Sequence, residues 1–149
     1  MPDALAKKLR VAWVADIVDE VSGIITDTEE MYGLAQSRGY FWQPVTTYRK
    51  PIKPFYVFDP ILPIPIGSFY KGTMFYFPDF LRVVQFFRKN RVNIIVSNTP
   101  GSMGMVAMAA AKYLAIPWVD IYHTDVDYYM NDLSSRIVKP FVKNPALFF

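Results

Sequence analysis

The sequence predicts an α/β fold: a doubly wound parallel sheet with helices on both faces. Two observations predict it. Short, nearly continuous apolar runs alternate with stretches of helical period, the order expected of strand–helix units joined by crossovers. The runs also lack the polar alternation of a half-solvated sheet, as strands covered on both faces do.

The first run, "RVAWVAD" at residues 10–16, ends in Asp16 and feeds a loop. Val21, Ile24, Ile25, Thr28, Met31, Tyr32 and Ala35 then recur at helical spacing, with Gly39 placed as the stop. "YFWQPVTTY" reads as a second strand. Pro44, Pro51, Pro54, Pro60, Pro63 and Pro65 punctuate the region from that strand onward, so a long loop is expected there with one short strand near Ile61 to Ile66. Pro78 and Asp79 mark a helix start, and Phe80, Val83, Val84 and Phe87 form its apolar stripe before the basic "RKNR". "VNIIVSN" is the next strand, and "TPGSMGMVAMAAAKYLAIP" a turn and a helix with so little polar surface that it must be buried on more than one side. "WVDIYH" closes the series, and the chain from Asp125 onward reads as helical with a break at Pro140.

A length of 149 residues fits one domain with a real core. Hydrophobic residues make up 52% and charged residues 19%, which excludes disorder and implies apolar surface for a partner to cover. With no cysteine, disulfides, zinc ribbons and thiol catalysis are excluded, and a single histidine argues against a protein-made metal site. We expect no metal and no cofactor. A net charge of +3 is too mild for a dedicated nucleic-acid binder. The longest apolar runs fall well short of the roughly 20 residues a bilayer span needs, and "MPDALAKKLR" has no signal-peptide core, so the chain is expected to be cytoplasmic.

Ligands of doubly wound sheets bind beyond the carboxyl ends of the strands, which directs attention to three loops. In the first, after Asp16, Ser22 and Gly23 open a helix whose free N–H groups could receive an anionic or hydroxyl-rich ligand; the same residues also describe a cap and a close helix–sheet contact. In the second, Thr99, Gly101, Ser102 and Gly104 let backbone amides approach a ligand, or simply make a tight turn. The third holds the only histidine, His123, at a strand's carboxyl end, with Asp125 placed to orient it, act as a base or cap the next helix. No G-x-G-x-x-G fingerprint, phosphate loop or G-x-S-x-G elbow is present. In the tail, Arg136, Lys139 and Lys143 oppose Ile137, Val138, Phe141 and Val142, a pattern suited to an anionic membrane surface or to packing on a larger protein. The apolar end "ALFF" reads as that of a fragment.

Residues 96–129, "VSNTPGSMGMVAMAAAKYLAIPWVDIYHTDVDYY", resemble the family 4 glycosyltransferases of the GT-B fold. That family often reads T-P-G-P-x-G, an alanine- and leucine-rich helix, G-I-P, a strand, then Y-H-T-D with a tyrosine four residues on. Thr99, Pro100, Gly101, Gly104, Ile116, Pro117, Tyr122, His123, Thr124, Asp125 and Tyr129 match, whereas Ser102 replaces the second proline and Ser22-Gly23 the usual paired glycine or Asn-Gly. The start of the chain is similar to the family more loosely.

The resemblance implies that residues 1–149 are the amino-terminal, acceptor-side, Rossmann-like half of a GT-B hexosyltransferase, inactive when isolated. The donor, a nucleotide-diphosphate sugar, would be held mainly by a carboxyl-terminal domain with an E-x7-E motif, which this chain lacks. His123 and Asp125 are then the catalytic candidates, and Asp16, Ser22, Gly23, Thr99, Gly101, Ser102, Gly104 and Tyr129 the substrate-binding ones. The acceptor is expected to be a glycan or a lipid, the latter with peripheral contact at the inner face of the membrane. The alternative is a stand-alone, non-catalytic binding or regulatory module with half a GT-B fold.

Overall fold

The computed structural model describes residues 9–16, 23–48, 51–65, 74–98 and 101–121. In chain order its elements are β1 (Arg10–Val14), α1 (Gly23–Ser37), β2 (Phe41–Thr47), β3 (Tyr56–Phe58), β4 (Pro60–Pro65), β5 (Met74–Pro78), α2 (Phe80–Lys89), β6 (Ile94–Ser97), α3 (Ser102–Leu114) and β7 (Trp118–Asp120). Five strands build one parallel sheet in the order β3-β2-β1-β6-β7. The order reverses at β1, so the crevice beyond the carboxyl ends of β1 and β6 is the topological switch point of the sheet.

Alternation along β1 divides the core. Val11 and Trp13 pack with Tyr32 and Ala35 of α1 and with Trp42, while Ala12 and Val14 join Val83, Val84 and Phe87 of α2 and Met103, Ala107, Ala110 and Ala111 of α3. Helices therefore cover both faces, as the apolar runs predict. The Trp13 indole donates to Thr28 Oγ1 at 3.0 Å, which satisfies two buried polar groups at once. Asp79 caps α2, its Oδ1 accepting from the Leu81 and Arg82 amides at 2.8 and 3.3 Å. Pro78, however, ends β5 instead of opening the helix.

Pro44 lies inside β2, a central strand, where a missing N–H is normally costly. Val45 points its polar groups at β1, since its carbonyl accepts from the Ala15 amide. Those of Pro44 face the other way, and β3 begins only opposite Val45. Its carbonyl accepts instead from Gln43 Nε2 at 3.1 Å.

The proline-rich region contains three strands, not a loop with one. β3 extends the main sheet, and β4 and β5 form a separate antiparallel pair. Prolines cannot donate to a ladder, but Pro63 and Pro65 share one parity and lie opposite Tyr76 and Met74, which leaves the bonded positions to Leu62 and Ile64. A register shift between Pro60 and Leu62 absorbs the proline of the other parity. The predicted helix from Asp125 onward lies outside the described residues. Among the described residues no helix is long and apolar enough to cross a membrane.

Candidate functional site

At the switch point β1 delivers Asp16 to the start of α3. The cap residue of that helix is Gly101, which has no side chain to offer the first free amides. Asp16, 86 residues upstream of Ser102, supplies it. Its Oδ1 accepts from the Met103 amide and its Oδ2 from the Gly104 amide at 3.1 Å. The Ser102 hydroxyl lies 3.1 Å from Oδ1 and 3.0 Å from the Tyr76 carbonyl, so its single proton serves one of the two at a time. A carboxylate on two helix-end amides is a charge-assisted arrangement that also opposes the helix dipole.

The same contact explains Gly101. A Cβ there would sit 2.6 Å from Asp16 Cγ and 2.8 Å from Oδ2, too close for any side chain while the carboxylate keeps its place. Gly101 is thus needed to admit an internal anion, and Asp16, Gly101, Ser102 and Gly104, read from two separate loops, come together in one cluster. The amides of Met103 and Gly104 already have an acceptor, and the positive end of α3 is neutralised by the chain itself. A ligand entering this crevice meets an electrically satisfied helix end.

Gly23 is the first residue of α1. Ser22, Thr99, His123, Asp125 and Tyr129 lie outside the described residues. The nearest described approach to His123 is Ile121, whose amide donates to the Ser97 carbonyl at 2.8 Å and so carries the β6–β7 pairing one residue past β7.

Two further polar groups beside this crevice have no counterpart in the sequence-predicted set. Thr46 is fully buried and Asn98 is 2% exposed, and among the described residues neither Thr46 Oγ1 nor the Asn98 carboxamide oxygen or nitrogen has a hydrogen-bond partner. Nothing in the local sequence marks them, because the signal is the lack of a partner. A cleft of about 450 Å³ beside β3 and α2, lined in part by Gln43, Tyr56, Arg82, Phe86 and Lys89, includes none of the sequence-predicted site residues.

Among models of known families, that of Glycosyltransferase Family 4 matches residues 21–147. No curated protein and no solved structure matches the chain.

Proposed function

The chain belongs to glycosyltransferase family 4, and from that membership we propose that it is the acceptor-side half of an enzyme that moves a hexosyl group from a nucleotide-diphosphate sugar to an acceptor hydroxyl. The observation that carries this reading is the family match across both the first helix and the Tyr122-His123-Thr124-Asp125 segment. The Rossmann-like strand order, with its crevice at β1 and β6, is in keeping with it.

In this reading a second domain holds the nucleotide, and His123 meets the donor's sugar and diphosphate across the cleft. The bond from the anomeric carbon to the diphosphate breaks, a bond to the acceptor oxygen forms, and the acceptor's proton leaves with the phosphate side. An imidazole at this position donates to oxygen as negative charge collects there, and a donor placed in advance is worth most in a dry cleft. Asp125 holds the ring, and Gly23 leaves the start of α1 open to the donor. The acceptor is a glycan or a lipid-borne hydroxyl.

The test is transfer by the full-length protein against a panel of nucleotide sugars. His123→Ala is expected to lower kcat about 100-fold or more while the circular dichroism spectrum and melting temperature stay unchanged. Wild-type turnover by His123→Ala would overturn the assignment.

A further inference from the structure

The cleft of about 450 Å³ beside β3 and α2 has the size of a small-molecule site and stands apart from the crevice at the switch point. β3 is an end strand of the sheet, and α2 lines the cleft with Arg82, Gln85, Phe86 and Lys89, one stripe at spacings i, i+3, i+4 and i+7. Tyr56 of β3 is 46% exposed, yet its ring is 4.2 Å from that of Phe86 and 5.0 Å from that of Phe58. Phe58 and Phe86 meet each other at 5.5 Å, so three rings brace one another and hold a half-open aromatic in a fixed place. Gln43 Nε2 donates to the Pro44 and Pro54 carbonyls at 3.1 and 3.4 Å, which fixes a carboxamide whose oxygen keeps its capacity to accept.

Two cations and one carboxylate line this space. Arg82 Nη1 is 3.9 Å from Asp59 Oδ2 and both side chains are largely exposed, so the pair is loose and worth little. Lys89 has no carboxylate partner among the described residues. The start of α2 adds no open positive end, because Asp79 already accepts from the Leu81 and Arg82 amides.

We propose that this cleft binds an acidic saccharide, a pyranose unit carrying one carboxylate, as part of the acceptor. The braced tyrosine offers an apolar face to the ring, and the carboxamides of Gln43 and Gln85 donate and accept without charge, which suits hydroxyls. Arg82 and Lys89 are separated along α2 by a rise of roughly 10 Å, so a ring over Tyr56 and Phe86 has a cation toward either end. The Arg82 fork matches a carboxylate. With two cations against one carboxylate the lining carries a net charge of about one, which balances a monoanion. A phosphate ester, at roughly −1.5 to −2, is the poorer fit. An acidic peptide would meet the cations, but it brings no rigid ring to the tyrosine and costs more to order. The inference rests on the glycosyltransferase reading for taking the saccharide as acceptor, and deepens it by naming an acid-bearing glycan.

The experiment is saturation-transfer NMR on the 149-residue chain, with methyl β-glucuronoside as the probe. Methyl β-glucoside and glucose 6-phosphate serve as the neutral and more highly charged comparisons, and hexaglutamate as the peptide competitor. The glucuronoside is expected to give the strongest transfer of the three sugars, weakened about 5-fold or more in Arg82→Gln and in Lys89→Gln and retained in Lys89→Arg. Both charge-removing variants replace exposed side chains, so their melting temperatures should match the wild-type chain. Tyr56→Ala is expected to weaken the signal as well. No glucuronoside signal from the wild-type chain, an equal or stronger signal from the glucoside or the phosphate, or full signal in both charge-removing variants each overturns the site. Displacement of the glucuronoside by an equal concentration of hexaglutamate also overturns it, in favour of an acidic peptide. These outcomes are separate from the His123 test: a chain that binds glucuronoside in this cleft while His123→Ala transfers normally keeps the site and loses the catalytic assignment.

Discussion

The two faces of the sheet are built to different standards. On the α2 and α3 side, Val83, Val84, Phe87, Met103, Ala107 and Ala110 close over Ala12, Val14 and Ile95 in an apolar cluster, and the buried Thr47 hydroxyl at its rim reaches the Phe58 carbonyl at 3.2 Å. On the α1 side the cluster is smaller, with Trp13 and Trp42 at 5.2 Å between centroids doing most of the filling. Among the described residues, Thr46 Oγ1 and the Asn98 carboxamide there have no hydrogen-bond partner. One face is closed by packed apolar side chains, whereas the other holds buried polar side-chain groups that no described residue bonds. The contrast teaches that the polar cost of burial in this sheet falls on its α1 face.

The largest effect should come from opening the completed face. Phe87 has no exposed surface and packs among Val83, Val84 and the α3 alanines. Phe87→Ala should therefore lose about 3–5 kcal/mol of unfolding free energy in urea, since the loss of apolar transfer and the cavity left behind act together. A cost below about 1 kcal/mol would mean that this face is not the packed one and would remove the contrast.

The junction between the faces gives a smaller and more specific test. Asp16→Ala removes the cap of α3 and should cost about 1–2 kcal/mol. Gly101→Ala should cost a similar amount, because its Cβ would overlap Asp16 Cγ. If both act through the one carboxylate, the double variant should be scarcely less stable than Asp16→Ala alone, and a double-mutant cycle in urea reads that coupling. Additive costs would show that Gly101 is required for some other reason.

The strand–helix alternation was legible because parallel strands covered on both faces need unbroken apolar runs, and "RVAWVAD" and "VNIIVSN" supply them. The β4–β5 pair was hidden because prolines ordinarily break ladders, and only the shared parity of Pro63 and Pro65 makes them harmless. At the site, Asp16, Gly101, Ser102 and Gly104 were all visible as candidates, but Asp16 and Ser102 are 86 residues apart in the chain and their engagement has no local pattern. Thr46 and Asn98 were not among the candidates, since one reads as a strand residue and the other as the strand end where the second loop begins.

The smallest effect lies at the far end of α3, where the family's Gly-Ile-Pro is replaced by Ala115-Ile116-Pro117. Ala115 holds a left-handed conformation with φ of 55°, and the helix still closes through the Ile116 amide, which donates to the Ala111 carbonyl at 2.9 Å. A β-carbon in that conformation costs roughly 1 kcal/mol, while glycine gains unfolded-state entropy that offsets part of any relief. Ala115→Gly should therefore stabilise the chain by about 0.5 kcal/mol and raise its melting temperature by roughly 1–2 °C. The change lies on α3 at the end opposite the Asp16 cluster, so it should leave the Asp16–Gly101 coupling energy untouched. A variant that is more stable yet alters that coupling would show that α3 transmits its seating from one end to the other, and the two ends of the helix would then be coupled rather than separate.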